Sequence, residues 1–179
     1  MTIFLSGGAK NGKSTLAQHL TKTLAAGGPM YYVATMIPHD DEDHARIARH
    51  LAEREGWGFE TLECGKHVRE TIVERGINGA FLFDSVTALL ANEMFPGPQP
   101  DLTAPGRVKD DLLALADHAE HVVFVSDFIY SDAGHYDRLT QAYRKGLADA
   151  DRALAARCDC VCELCGGNIT VHKGVLPKW

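Results

Sequence analysis

The chain has 179 residues, 45% of them hydrophobic, with a formal net charge of −6 and a pI near 5.8. That length fills one compact domain spanning 1–179 and is short for two. The acidic balance argues against a general nucleic-acid or membrane-surface binder, which carries a basic face, and no apolar run reaches bilayer-spanning length.

The chain opens on a strand-like apolar run at 2–6. It has no basic leader region or cleavage site ahead of it, so no signal peptide is expected, and a cytosolic location with reduced thiols follows. Directly after comes "FLSGGAKNGKST", residues 4–15, in which glycines crowd around one lysine and one serine. Gly7-x-x-x-x-Gly12-Lys13-Ser14 fits the phosphate-binding loop pattern, and its setting between an apolar strand and a predicted helix at 13–26 is the one the pattern requires. Glycine permits the backbone to close its N–H groups around phosphate oxygens, and the new helix points its unsatisfied N–H groups at the same anion. Gly7, Gly8, Ala9, Lys10, Asn11, Gly12, Lys13, Ser14 and Thr15 form the expected cradle. Lys13 is expected to reach the β- and γ-phosphates, and the Ser14 hydroxyl to hold Mg²⁺. The alternative is a plain glycine-rich strand-to-helix turn.

Next come a strand at 30–34 and helices at 41–54 and 66–75. In the first of these helices His44, Ile47 and Leu51 share one stripe, expected to turn inward, with His50 off it between Arg46 and Arg54. The bland reading is a solvated histidine on a charged face, with the arginines as i,i+4 partners of Glu42, Glu53 or His50. A strand at 80–83 ends in Asp84, and a strand at 121–126 ends in Asp127. At the carboxyl ends of parallel strands both face the ligand crevice, where a phosphate-binding loop needs a carboxylate near its metal; each is otherwise an N-cap for the helix that follows. Asp84 is the stronger candidate, either beside Mg²⁺ or as acceptor of a hydroxyl proton.

A helix at 86–94 leads into "FPGPQPDLTAPG", residues 95–106, whose four prolines and two glycines predict a loop. Helices follow at 107–118 and 136–156, then strands at 159–164 and 168–172 joined through Gly166-Gly167 as a hairpin. Four of the five cysteines lie in "CDCVCELC", residues 158–165. Cys158, Cys160 and Cys162 alternate and so share one strand face, which favours buried structural thiols over a metal pair at Cys162 and Cys165 or redox sensing. The β–α alternation predicts a three-layer α/β fold of the P-loop NTPase kind, with a mostly parallel central sheet and one antiparallel edge strand. No internal repeat or low-complexity segment occurs, and "GVLPKW" at the end is read as a packed or loose tail.

Together "FLSGGAKNGKS", "YYVAT", the acidic cluster before "RIARH", and "FDSVTALLANEMF" resemble the bifunctional adenosylcobinamide kinase / adenosylcobinamide-phosphate guanylyltransferase family, in order and spacing over nearly the whole chain. The resemblance implies two reactions. The aminopropanol hydroxyl of adenosylcobinamide takes a γ-phosphate from ATP or GTP, and GTP then donates GMP to that phosphate through a histidine-bound GMP. The acceptor histidine of the family follows an Arg-Ile pair by three positions, which is His50 here. Arg46 and Arg54 become second-rank phosphate contacts, and Thr87 and Asn92 keep further positions of the Asp84 block. A homotrimer is also implied. The chain departs from the family at "SDFIYSDAGHY", residues 126–136, where Asn-Glu-Val-Gly is usual, and at Asp151-Arg152, where Asn-Gln is usual. Two other readings are a related P-loop kinase or nucleotidyltransferase with a different acceptor, and a slowly hydrolysing nucleotide-dependent switch. No purine-specific motif distinguishes ATP from GTP.

Overall fold

The computed structural model describes residues 1–38 and 40–179, apart from the side chains of Arg46 and Glu53. Seven strands form one sheet: β1 (Thr2–Gly7), β2 (Met30–Ala34), β3 (Glu60–Glu63), β4 (Ala80–Asp84), β5 (His121–Asp127), β6 (Cys160–Cys165) and β7 (Asn168–Lys173). Their order is β3-β2-β4-β5-β1-β6-β7. Every pair is parallel except β6–β7, the expected hairpin at one edge.

The central strands are apolar on both sides because helices cover both faces. On one face α1 (Lys13–Ala25) packs Leu16, Ala17 and Leu20 against Ile3, Leu5, Leu82, Val123 and Val125. On the other, α3 (Val86–Met94), α4 (Ala104–His118) and α5 (Arg138–Arg157) bury Leu89, Leu112 and Leu147 with Phe81, Phe83 and Phe124. Phe83 and Phe124 are paired across β4 and β5 with ring centroids 5.6 Å apart. Full burial of each such ring stabilises by about 1.5–3 kcal/mol, and it fixes the register of the two strands that end in Asp84 and Asp127.

Four sequence expectations need correction. β3 escaped notice because "ETLE" has no apolar run; it is a four-residue edge strand with three of its residues exposed, as suits a protected sheet edge. The helix expected at 66–75 is a short π-helical turn at Arg69–Val73 that buries Ile72. The proline-rich loop ends earlier than expected, since α4 starts at Ala104 with Pro105 in its first turn, where a missing N–H costs nothing. Cys158 does not share a face with Cys160 and Cys162: it ends α5, before β6, and packs on the α3–α5 side, whereas the other two pack on the α1 side. Burial pushes the Cys158 thiol up to about 11 and the Cys162 thiol to about 12, so neither is a ready nucleophile. Cys165, three positions on from the buried Cys162, is exposed on the other side of the strand.

Asp151 of α5 is 2% exposed beneath β5. Its Oδ2 accepts from Ser126 Oγ and Tyr130 Oη, both at 3.0 Å, while its Oδ1 has no partner among the described residues. Burial, with Asp127 nearby, pushes its pKa up to about 7. An acid raised in this way keeps its proton in the native state after the unfolded chain has released it. Stability therefore falls as pH rises between about 4 and about 7. Asp151→Asn is expected to lose that slope and to be more stable than the parent near pH 8 by about 1–3 kcal/mol, as urea unfolding at about pH 5 and pH 8 would read. A variant with the parent's pH dependence would contradict the assignment.

Candidate active site

The sheet order places the ends of β4, β5 and β1 side by side, with Gly7 in register with Asp127. The phosphate-binding loop turns out of β1 there. Gly7 has φ +154°, and a Cβ on it would overlap the Leu164 carbonyl of β6. Gly12 has φ +84° and precedes α1 with no side-chain cap, which leaves the helix N–H groups for an anion. Asn11 Nδ2 donates to Leu164 O at 3.3 Å and Phe128 N to Gly7 O at 3.0 Å, so the loop is tied to the strands on either side. Gly8, Ala9, Lys10 and Thr15 complete it, with Ala9, Lys10 and Thr15 exposed.

Lys13 is only 5% exposed, and its ammonium donates to Gly8 O at 2.6 Å and pairs with Asp127 Oδ1 at 2.9 Å. Asp84 Oδ2 accepts from Ser14 Oγ and from Tyr32 Oη, each at 2.9 Å. Neither carboxylate caps a helix. Ser85 caps α3 by accepting from Ala88 N at 3.2 Å, and the Asp127 N–H donates to Thr87 Oγ1 at 2.9 Å. Thr87 is held in turn by Tyr143, whose hydroxyl donates to the Thr87 carbonyl at 2.9 Å. Burial pushes the Tyr143 phenol up to about 12, so it stays a neutral donor. Asn92 bridges the Thr35 and Gly65 carbonyls at 2.7 and 2.9 Å, which ties α3 to the ends of β2 and β3.

Helix α2 (Asp41–Glu53) starts at Asp40, whose carboxylate accepts from Asp43 N, and carries Asp41, Glu42 and Asp43 in its first turn, where the helix dipole favours acids. Its apolar stripe does not enter the core: His44 is exposed and Leu51 is 49% exposed. The stripe instead borders a cavity of about 630 Å³, and His50 is on that border rather than off it. At about 100° per residue, His44, Ile47, His50, Leu51 and Arg54 fall within about one third of the helix circumference, a wider face than three stripe residues suggest. Across the same cavity lie Asp84, Asp127, Thr87 and Tyr143. Arg54 is 8% exposed and its guanidinium carbon sits 3.4 Å from the Tyr32 ring centroid. It is therefore not an i,i+4 surface partner; it links the end of α2 through Tyr32 to Asp84. The side chain of Arg46 lies outside the described residues.

One cavity thus joins His50 and Arg54 to both strand-end carboxylates. The Ser14 hydroxyl and the Asp84 carboxylate, in contact at the edge of the loop, are hard oxygen donors that suit a cation such as Mg²⁺, which keeps several waters and takes its remaining ligands from phosphates. Tyr32 and the Lys13–Asp127 pair are the parts that sequence reasoning missed. Tyr32 reads as a strand aromatic, and the pair spans two distant segments.

The family model for cobinamide kinase / cobinamide phosphate guanyltransferase matches residues 3–171. The chain belongs to that family. Membership carries kinase and guanyltransferase chemistry in cobalamin biosynthesis, with a nucleoside triphosphate and a corrinoid as substrates. No curated protein is a significant match to the sequence. Among solved structures, an ATPase of the type III secretion system of pathogenic bacteria aligns with TM-score 0.51 and 15% identity over 92% of this chain and 51% of that one. A KaiC-like protein from the archaeon Pyrococcus horikoshii OT3 aligns with TM-score 0.50 and 14% identity over 97% of this chain and 79% of that one. This chain spans about half the length of the secretion ATPase. At such identities the likeness is one of fold, the three-layer P-loop NTPase arrangement. No described helix is long and apolar enough to cross a membrane.

Gly7→Ala forces a side chain into the Leu164 carbonyl at a φ that L-residues avoid. The expected result is a loss of about 1–3 kcal/mol in stability and a weakening of nucleotide binding by at least about tenfold, read by melting and by titration with a fluorescent nucleotide. An alanine variant with parental affinity would show that the strand–loop junction does not shape the phosphate cradle.

Proposed function

We propose that the chain phosphorylates the aminopropanol hydroxyl of adenosylcobinamide from ATP or GTP, and then transfers GMP to that phosphate through a GMP adduct on His50. The observation that supports this reading is the shared cavity, whose lining joins His50 to Asp84 and Asp127, the two carboxylates in contact with Ser14 and Lys13 of the loop. In the first step the amides of residues 7–15 cradle the phosphates and Lys13 steadies the β- and γ-phosphates. Ser14 and Asp84 would hold Mg²⁺, which supplies charge neutralisation on the phosphates. In the second step the His50 imidazole attacks the α-phosphorus of GTP, the α–β bridging bond breaks and pyrophosphate leaves. Arg54, and Arg46 as the sequence suggests, would neutralise the triphosphate around that attack. The corrinoid phosphate then displaces His50 from the GMP.

The chain is further proposed to act as a single domain, in a homotrimer, in the cytoplasm. A related kinase with another acceptor is the second reading. It draws on the departure of residues 126–136, which put Phe128, Ile129 and Tyr136 at 40–44% exposure in the segment that follows Asp127.

Labelled GTP separates the two steps. With α-labelled GTP the parent protein is expected to retain acid-labile label, and His50→Ala to retain none while still transferring γ-label to the corrinoid. Lys13→Ala should lower γ-transfer by about 10³-fold or more with the fold intact. An α-label adduct on the His50→Ala protein would move the nucleophile elsewhere, and near-parental γ-transfer by Lys13→Ala would remove the lysine from the kinase step.

A further inference from the structure

Two carboxylates stand at the strand ends, and the structure employs them differently. Asp84 Oδ2 already takes the hydroxyl hydrogens of Ser14 and Tyr32. It is part of the metal-side apparatus. Among the described residues Asp127 takes no hydroxyl. Its Oδ1 holds the Lys13 ammonium at 2.9 Å, its backbone is pinned by Thr87 at 2.9 Å, and it is 28% exposed on the wall of the cavity that holds His50. Lys13 is therefore occupied by Asp127 and by Gly8 O. The loop lysine must serve the β- and γ-phosphates when nucleotide binds, so the triphosphate competes with Asp127 for one ammonium. As Lys13 turns to the phosphates, the Asp127 carboxylate is left beside the γ-phosphate site with its acceptor oxygens open.

We propose that Asp127 is the catalytic base of the kinase step, masked while it holds Lys13 and exposed when the triphosphate takes the lysine. The inference rests on the kinase reading above. The acceptor alcohol donates its hydrogen bond to Asp127. As the alcohol oxygen bonds to the γ-phosphorus, its proton passes to the Asp127 carboxylate. The bond from the γ-phosphorus to the β–γ bridging oxygen breaks, and the nucleoside diphosphate leaves with that electron pair. Charge balances throughout, and no further reactant is required. Such a base is available to an acceptor only when a phosphoryl donor is in place, because the donor itself removes the lysine that masks it.

The mount supports the role. Asp127 projects from the end of a central strand, in register with Gly7, so it cannot drift from the loop. Phe124, Val122 and the α3 contact through Thr87 hold that strand end rigid, and a base must be held within hydrogen-bond reach of the proton it removes.

Asp127→Asn keeps the shape and removes the charge. A base that also competes for Lys13 has a two-signed signature. The variant is expected to bind ATP or GTP at least as tightly as the parent, because the competitor for the lysine is gone. Its kcat for phosphorylation of adenosylcobinamide is expected to fall by about 10²–10⁴-fold, the range a general base supplies. Asp127→Glu, which restores a carboxylate on a longer arm, should recover part of that rate at similar nucleotide affinity. A kcat close to the parental value in Asp127→Asn overturns the base. A kcat that falls only in step with weakened nucleotide binding also overturns it, since that pattern belongs to a residue that merely positions Lys13. Should the parent protein leave the corrinoid unphosphorylated, the functional reading fails on its own. The binding limb still decides the exchange of Lys13: tighter nucleotide binding by the variant supports it and weaker binding overturns it.

Discussion

A lysine ammonium buried at the end of a sheet must be paired, because an unpaired charge there costs several kcal/mol. Lys13 sets that requirement for the whole site. Its partners, Gly8 O and Asp127, come from the loop that follows β1 and from the end of β5. Asp127 is available only because β5 lies beside β1 and the two strands end level, Gly7 opposite Asp127. Packing below sets the third strand: the Phe83–Phe124 pair fixes β4 against β5, so that Asp84, in register with Val125, arrives two residues below Asp127 from one strand further out. Core, register and charge are thus one constraint seen at three scales. An ion pair of this kind is a weak source of stability and a good source of geometry, since each partner is useful only in its place.

The hairpin edge contributes from the other side. Leu164 of β6 approaches Gly7 so closely that no side chain fits, and its carbonyl also receives Asn11. The cysteine-rich strand is therefore the back wall of the phosphate loop. Its small thiols at 160 and 162, 3.7 Å apart, fill the narrow space between that strand and α1. The cluster that looks most like a chemical centre in the sequence is packing, and the chemistry sits in the neighbouring strand ends.

What could be read in advance divides along physical lines. The phosphate loop and Asp84 were legible because glycine spacing, an apolar strand and the start of a helix are local signals. The parallel sheet was legible because its central strands are apolar on both faces. β3 was not, since a polar edge strand carries no such pattern. The inward turn expected of His44, Ile47 and Leu51 failed for another reason. Amphipathicity shows that a face is apolar, not whether it meets a core or an open cavity, and here it borders the cavity with His50. Tyr32 with Asp84, and Lys13 with Asp127, are contacts between segments 52 or more residues apart. They come from strand order, which a single sequence does not state. The departure at residues 126–136 was visible, but its consequence was not: the strand ends in an aspartate that faces the loop lysine, followed by apolar residues that face solvent.

Family membership fixes the class of chemistry, and the cavity lined by His50, Asp84 and Asp127 is the proposed place for it. The central claim is that a corrinoid alcohol is the acceptor of a phosphoryl group delivered by the loop around Lys13. The measurement that tests it most directly is mass spectrometry of adenosylcobinamide after incubation with the protein, Mg²⁺ and GTP. The account predicts a corrinoid heavier by one phosphate, with a second species carrying phosphate and GMP together. A corrinoid of unchanged mass, with GTP bound to the protein in the same sample, would contradict it.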